Sequence, residues 1–211
     1  MNPNIVLPEL ILVGGSLASL IGYQLWLLYV TKHRPRQSAF ARHKLLRRGW
    51  IERAIKDNND ILIIQNVRNW IMAANFLAST AILFVLGLLS TVFSLDRISS
   101  KAHMLNFFGS HSDEVLVFKI LLLTLAFLGA FFNFSLCLRS MTHASFMTGL
   151  GSEHVMGQRG AIHELELGAF HYMIGIRSYY LAMPLSLWFF GPIWMVLGTV
   201  LLLIILRRID R

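Results

Sequence analysis

The chain has 211 residues, of which 55% are hydrophobic and only 14% charged, and its mean hydropathy is +0.60. A soluble domain carries roughly 25% charged residues, so this composition points to a membrane protein read as one domain over residues 1–211. The net charge of +8 does not indicate nucleic acid, because nearly half of the basic residues fall in one loop beside an apolar run, the pattern that sets membrane orientation.

The first apolar run, residues 7–30, is long enough to cross a hydrocarbon core of roughly 30 Å at 1.5 Å per residue. No basic residue precedes it and it is too long for a signal-peptide core, so it reads as a retained span. Gly15, Ser19 and Gly22 put small residues on one of its faces, a common packing surface in lipid.

The loop 31–60 follows, with nine Lys or Arg against three acids between Lys32 and Asp60. Ser38 is a candidate helix cap, and Phe40, Leu46, Trp50, Ile51, Ala54 and Ile55 tend to one side. A basic amphipathic helix of this kind lies on a membrane surface and attracts anionic lipid. Arg47, Arg48, Trp50 and Arg53 are the expected lipid or interface contacts. The alternative is that the charges only set topology.

The second run, residues 61–95, exceeds one crossing. Gln65, Arg68, Asn69, Met72, Asn75 and Ser79 recur at three- and four-residue steps and form one polar stripe. With the outer end near Phe93, twenty residues reach back to Ala74, so Arg68 lies roughly 8–9 Å beyond the core edge, at headgroup level. Ala74, Ala78 and Ala81 offer a small-residue packing face. A polar stretch, 96–114, leads to the third run, 115–138. Near its end stand Asn133, Arg139, Ser140 and His143. The two polar sets either line a cytoplasmic vestibule or form a structural layer in which amides tie helices and arginines hold lipid phosphates.

Residues 139–178 read as a second cytoplasmic loop, and 179–206 as a fourth span bent at Pro184 and Gly191-Pro192. The basic loop, with Arg139, Arg159 and Arg177, outweighs Arg97, Lys101 and the C-terminal arginines. That bias puts both loops in the cytoplasm and both termini outside, in a plasma membrane such as the bacterial inner membrane. The expected fold is therefore all-α and polytopic, with four transmembrane helices and a basic amphipathic cytoplasmic segment.

His143, His154, His163 and His171, with Glu153, Glu164 and Glu166, invite a metal reading, but no HExxH motif occurs and Cys137 is the single cysteine. No Ser-His-Asp set or glycine-rich phosphate loop is present. No catalytic residue, metal ligand or cofactor is expected.

Several segments resemble the domain of unknown function 599 family of four-span membrane proteins. They are Gly22-Tyr23, Arg48-Gly49-Trp50, and Asn59 to Leu83 with Gln65-Asn66-Val67-Arg68-Asn69 and Ala78-Ser79-Thr80 at its heart. Further on come Phe131 to Leu136 through Arg139, Arg177-Ser178-Tyr179-Tyr180, and Leu185 to Pro192. The resemblance implies a four-span fold and brings no activity with it. Three functions stay open on the residues. One is a scaffold that binds anionic lipid or a larger membrane complex. Another is a homo-oligomeric channel for a small anion or neutral solute, lined by Gln65, Arg68, Asn69, Asn75 and Ser79. The third is an enzyme using His143, His163 or Glu166.

Overall fold

In the computed structural model, which describes residues 3–33, 39–57, 59–94, 112–149 and 157–210, every element is helical. The helices are α1 (Pro3–His33), α2 (Ala39–Lys56), α3 (Asp60–Phe93), α4 (Asp113–Thr148), α5 (Gly157–Leu187) and α6 (Pro192–Ile209), with a 3-10 turn, Trp188–Phe190, between the last two. The proposed cap Ser38, the stretch 96–111, and Glu153 and His154 lie outside the described residues. Four helical segments are long and apolar enough to cross a membrane: Glu9–Leu27, Asp60–Phe93, Asp113–Thr148 and Pro192–Ile209.

Two features differ from the sequence reading. Residues 139–178 are mostly helix: α4 runs on to Thr148 and α5 begins at Gly157. Polarity ends a membrane span but does not end a helix. Met141, Ala144, Thr148, Ala161, Ile162 and Ala169 are buried, while His143 and His163 on the same helices are exposed, which is ordinary amphipathic patterning. The other difference is that 179–206 is a hairpin and no single bent span. Gly191 adopts φ 131°, a left-handed conformation that favours glycine, and Pro192 starts α6 where a missing N–H costs nothing.

Packing fixes the hairpin's direction. A methyl group on Gly198 would lie 2.5 Å from Leu187 Cδ1 and 3.4 Å from Pro184 Cα. Farther along, Leu202 and Leu206 pack with Tyr180 and Leu181. The end of α5 and the body of α6 are therefore antiparallel.

The chain groups into two compact units, and α3, α4 and α5 contribute to both. The first unit comprises Met1–Ala39, Leu83–Leu128 and Ser178–Arg211. In it α6 runs parallel to α1. Leu20 packs on Leu202 and Leu206, the Tyr23 hydroxyl donates to Asp210 Oδ2 at 2.8 Å, and Ala39 N–H donates to Asp210 O at 3.1 Å. The C-terminal end of α6 thus sits beside Ala39 rather than beside the start of α1, which is not where one fourth span would leave it. At the opposite end of α1, Glu9, Lys119 and Trp188 are all buried. Lys119 Nζ donates to Trp188 O at 3.2 Å and lies 3.7 Å from Glu9 Oε1, which accepts from Trp188 Nε1 at 3.2 Å.

The second unit comprises Phe40–Ile82 and Gly129–Arg177. Its centre is Ile63 and Val67 of α3, Phe134, Cys137 and Met141 of α4, and Ile51, Ala54 and Ile55 of α2, all buried. Helices α4 and α5 are antiparallel and close. A methyl group on Gly168 would stand 2.8 Å from Met141 Cε, and one on Gly175 2.8 Å from two ring carbons of Phe134. Ala74, Ala78 and Ala81 are buried as their spacing suggests, whereas Gly15, Ser19 and Gly22 face outward.

Candidate functional site

Four helices of the second unit enclose a cavity of about 320 Å³. Leu46, Arg47, Trp50 and Ile51 of α2 form one wall, Asn66, Val67 and Trp70 of α3 another, and Met141 of α4 with Leu165, Glu166 and Ala169 of α5 complete it. The apolar face expected for α2 supplies this wall. Ile51, Ala54 and Ile55 turn inward, while Leu46 and Trp50 stay exposed at the cavity edge. A largely apolar concavity with a few convergent polar groups is the usual form of a small-molecule site.

The polar groups are specific. The Arg47 guanidinium carbon lies 6.0 Å from the Trp70 ring centroid, within cation–π range. Trp70 is braced by Tyr172 at 5.2 Å, and Tyr172 by Phe134 at 5.6 Å. Glu166 Oε2 pairs with Lys44 Nζ at 3.0 Å. Burial pulls Arg47 below the ordinary guanidinium range and the Glu166 charge opposes that shift; an arginine still keeps its proton. Arg47 Nε and Glu166 Oε1 are both buried, and neither has a hydrogen-bond partner among the described residues. A buried polar atom without a partner is costly and calls for a reason, commonly water, an ion or a ligand.

A second hollow of about 490 Å³ lies between α4 and α5, with Arg139, Ser140 and His143 facing Glu164 and His171. His171 Nδ1 stands 3.1 Å from Asn133 Oδ1, and Asn133 Nδ2 donates to Gly129 O at 2.8 Å. Of the α4 polar set, Asn133 is therefore bonded to α5, while Arg139 and His143 are exposed. Gln65, Arg68, Asn69, Asn75 and Ser79 are all exposed, on the outward face of α3. Among the expected lipid contacts, Arg47 and Trp50 line the cavity. Arg48 pairs with Glu52 at 2.9 Å, which raises its pKa, and Arg53 lies 3.7 Å from Asp57. Among the described residues no three His, Cys, Asp or Glu side chains converge as metal ligands.

One family's sequence pattern matches residues 11–211. The chain belongs to the DUF599 family, proteins of unknown function. The match covers α1 of this DUF599 protein from Ile11 onward and the whole of α2 to α6, the cavity included. No curated protein and no solved structure matches it.

Sequence reasoning missed Lys44, Asn66, Trp70 and Glu166 as a group with Arg47, and it missed the Glu9–Lys119–Trp188 cluster. Trp50 and Arg47 carried a signal through their place on an amphipathic basic segment. Glu166 drew notice only among the histidine and glutamate candidates of the second loop, whereas the structure pairs it with Lys44.

Proposed function

We propose that this DUF599 protein is a non-enzymatic membrane component that holds an amphiphilic lipid in the α2–α5 cavity. The observation that carries the reading is the unpartnered Arg47 Nε in a mostly apolar enclosure. An anionic head group supplies the missing acceptor, and acyl methylenes suit Leu46, Ile51, Val67 and Met141. Trp50 and Trp70 are amphipathic rings of the type found at lipid headgroup level. The test is native mass spectrometry of protein extracted with its own lipids. Wild type is expected to retain lipid through mild activation and Arg47→Gln to lose it; lipid-free wild type, or equal retention by both, defeats the reading.

The proposed topology places the N-terminus outside and the C-terminus in the cytoplasm, in place of both termini outside. Asp210 bonded to Ala39 supports this, because it brings Arg207 and Arg208 to the end of α1 that carries the basic segment. The C-terminal arginines then join the positive-inside bias instead of opposing it. Helix α5 becomes a fifth crossing. Reporter fusions at the C-terminus that work only outside the cytoplasm sink this arrangement.

A second reading has one observation behind it: the outward polar face of α3, with Asn75 and Ser79 exposed. Polar groups in lipid seek partners, and amides both donate and accept, so two copies can satisfy each other across a symmetric contact. A ring of copies around this face is the channel form. Native mass distinguishes a closed oligomer from a monomer, and Asn75→Leu is expected to shift the oligomer to monomer; a wild-type monomer defeats this reading.

A further inference from the structure

We infer that the cavity selects the head group of a lipid that is a phosphate diester carrying a free hydroxyl, the phosphoglycerol class, with its phosphate at Arg47 and its hydroxyl at Glu166. This rests on the lipid reading above and sharpens it.

Two buried atoms define the ligand's polar end. Arg47 Nε is a donor lacking an acceptor, and Glu166 Oε1 is an acceptor lacking a donor, among the described residues. They do not satisfy each other. A ligand that answers both must present an anionic oxygen and, a few bonds away, an O–H or N–H. Charge separates the choices. Arg47 and Lys44 bring two positive charges, and Glu166, paired with Lys44 at 3.0 Å, brings one negative, while Arg48, whose charge also reaches Glu166, is offset by its own pair with Glu52. The single excess positive charge is neutralised by a monoanion. A phosphodiester with a glycerol hydroxyl has that charge and a neutral donor. A phosphoethanolamine head group has no net charge and sets its ammonium beside Lys44. A phosphate monoester lacks the second donor and adds charge close to the Glu166 carboxylate. Size agrees: 320 Å³ is about ten water volumes at roughly 30 Å³ each, enough for a head group and the first methylenes. Asn66 at the rim offers a further amide to the glycerol.

The experiment offers delipidated full-length protein an equimolar mixture of phosphatidylglycerol, phosphatidylethanolamine and phosphatidic acid with the same acyl chains, and reads bound lipid by native mass spectrometry. Wild type is expected to enrich phosphatidylglycerol about fivefold over each competitor, the factor that one net hydrogen bond carries. Glu166→Gln removes the negative charge and is expected to shift enrichment towards phosphatidic acid. Lys44→Gln removes the excess positive charge and is expected to shift it towards phosphatidylethanolamine, which keeps the test decisive if one variant fails to fold. Equal retention of the three lipids by wild type, with retention lost in Arg47→Gln, overturns the head-group assignment and leaves the lipid site standing. Enrichment of either competitor by wild type also overturns the assignment. No retention by wild type, or none lost in Arg47→Gln, overturns the lipid site itself.

Discussion

The two units treat buried charge in opposite ways. In the first, Glu9, Lys119 and Trp188 form a closed cluster in which each partner answers another. In the second, Arg47 and Glu166 bracket a cavity with one buried atom each lacking a hydrogen-bond partner among the described residues. The same physical cost, removing polar groups from water, is met internally in one place and deferred in the other. A closed cluster reads as a clasp that holds the α5–α6 turn to α1 and α4. On the proposed function, the open pair is half of an interaction whose other half is the lipid.

Substitutions should separate the two kinds. The largest effect is expected at the clasp. Lys119→Met strands Glu9 in a buried site and should cost about 3–5 kcal/mol, read as a lowered denaturant midpoint in mild detergent. Adding Glu9→Gln should restore most of that loss, since a neutral amide still accepts from the indole. If the single change is silent, the cluster is not the clasp that the comparison makes it. Next comes Gly175→Ala, which forces a methyl group into the Phe134 ring at 2.8 Å. Phe134 is fully buried, so overpacking of about 1–3 kcal/mol is expected, measured the same way. Arg47→Leu should change stability by about 1 kcal/mol or less in delipidated protein, because Arg47 Nε already lacks a hydrogen-bond partner among the described residues and its contact with Trp70 sits at the edge of cation–π range. The same change should abolish the stabilisation that added lipid gives wild type. A large intrinsic loss there would make the open pair as structural as the clasp. The smallest effect is expected from Arg53→Gln on the exposed face of α2. Its i,i+4 pair with Asp57 spans 3.7 Å and should be worth less than about 0.5 kcal/mol.

Much of the helical frame was legible because long apolar runs have few alternatives. The spans around α1, α3 and α4 follow from length and hydropathy, and the buried face of Ala74, Ala78 and Ala81 from spacing. The α5–α6 hairpin was hidden because its two arms are both apolar near the turn. Gly191-Pro192 therefore read as a kink in one helix, although a Gly-Pro pair is also a turn signal. The polar parts of α4 and α5 were read as loop because charge marks where lipid ends, and the helix persists past that point. The site was harder still. Arg47 and Glu166 are 119 positions apart in the numbering, and nothing in either neighbourhood names the other. The polar residues of α3 were grouped by spacing, but a pattern cannot say whether a face turns inward, and Gln65, Arg68, Asn69, Asn75 and Ser79 are exposed.

The hairpin also bears on how the chain enters a bilayer. Helix α5 carries Glu166, His171 and Arg177 and is not among the helices apolar enough to cross on composition. On the proposed topology, its partition into lipid depends on α6, whose Leu202 and Leu206 cover Tyr180 and Leu181. The two helices then form one insertion unit, and the left-handed residue at Gly191 is its hinge point. A nascent chain stopped before Pro192 would leave α5 without the apolar partner with which it crosses.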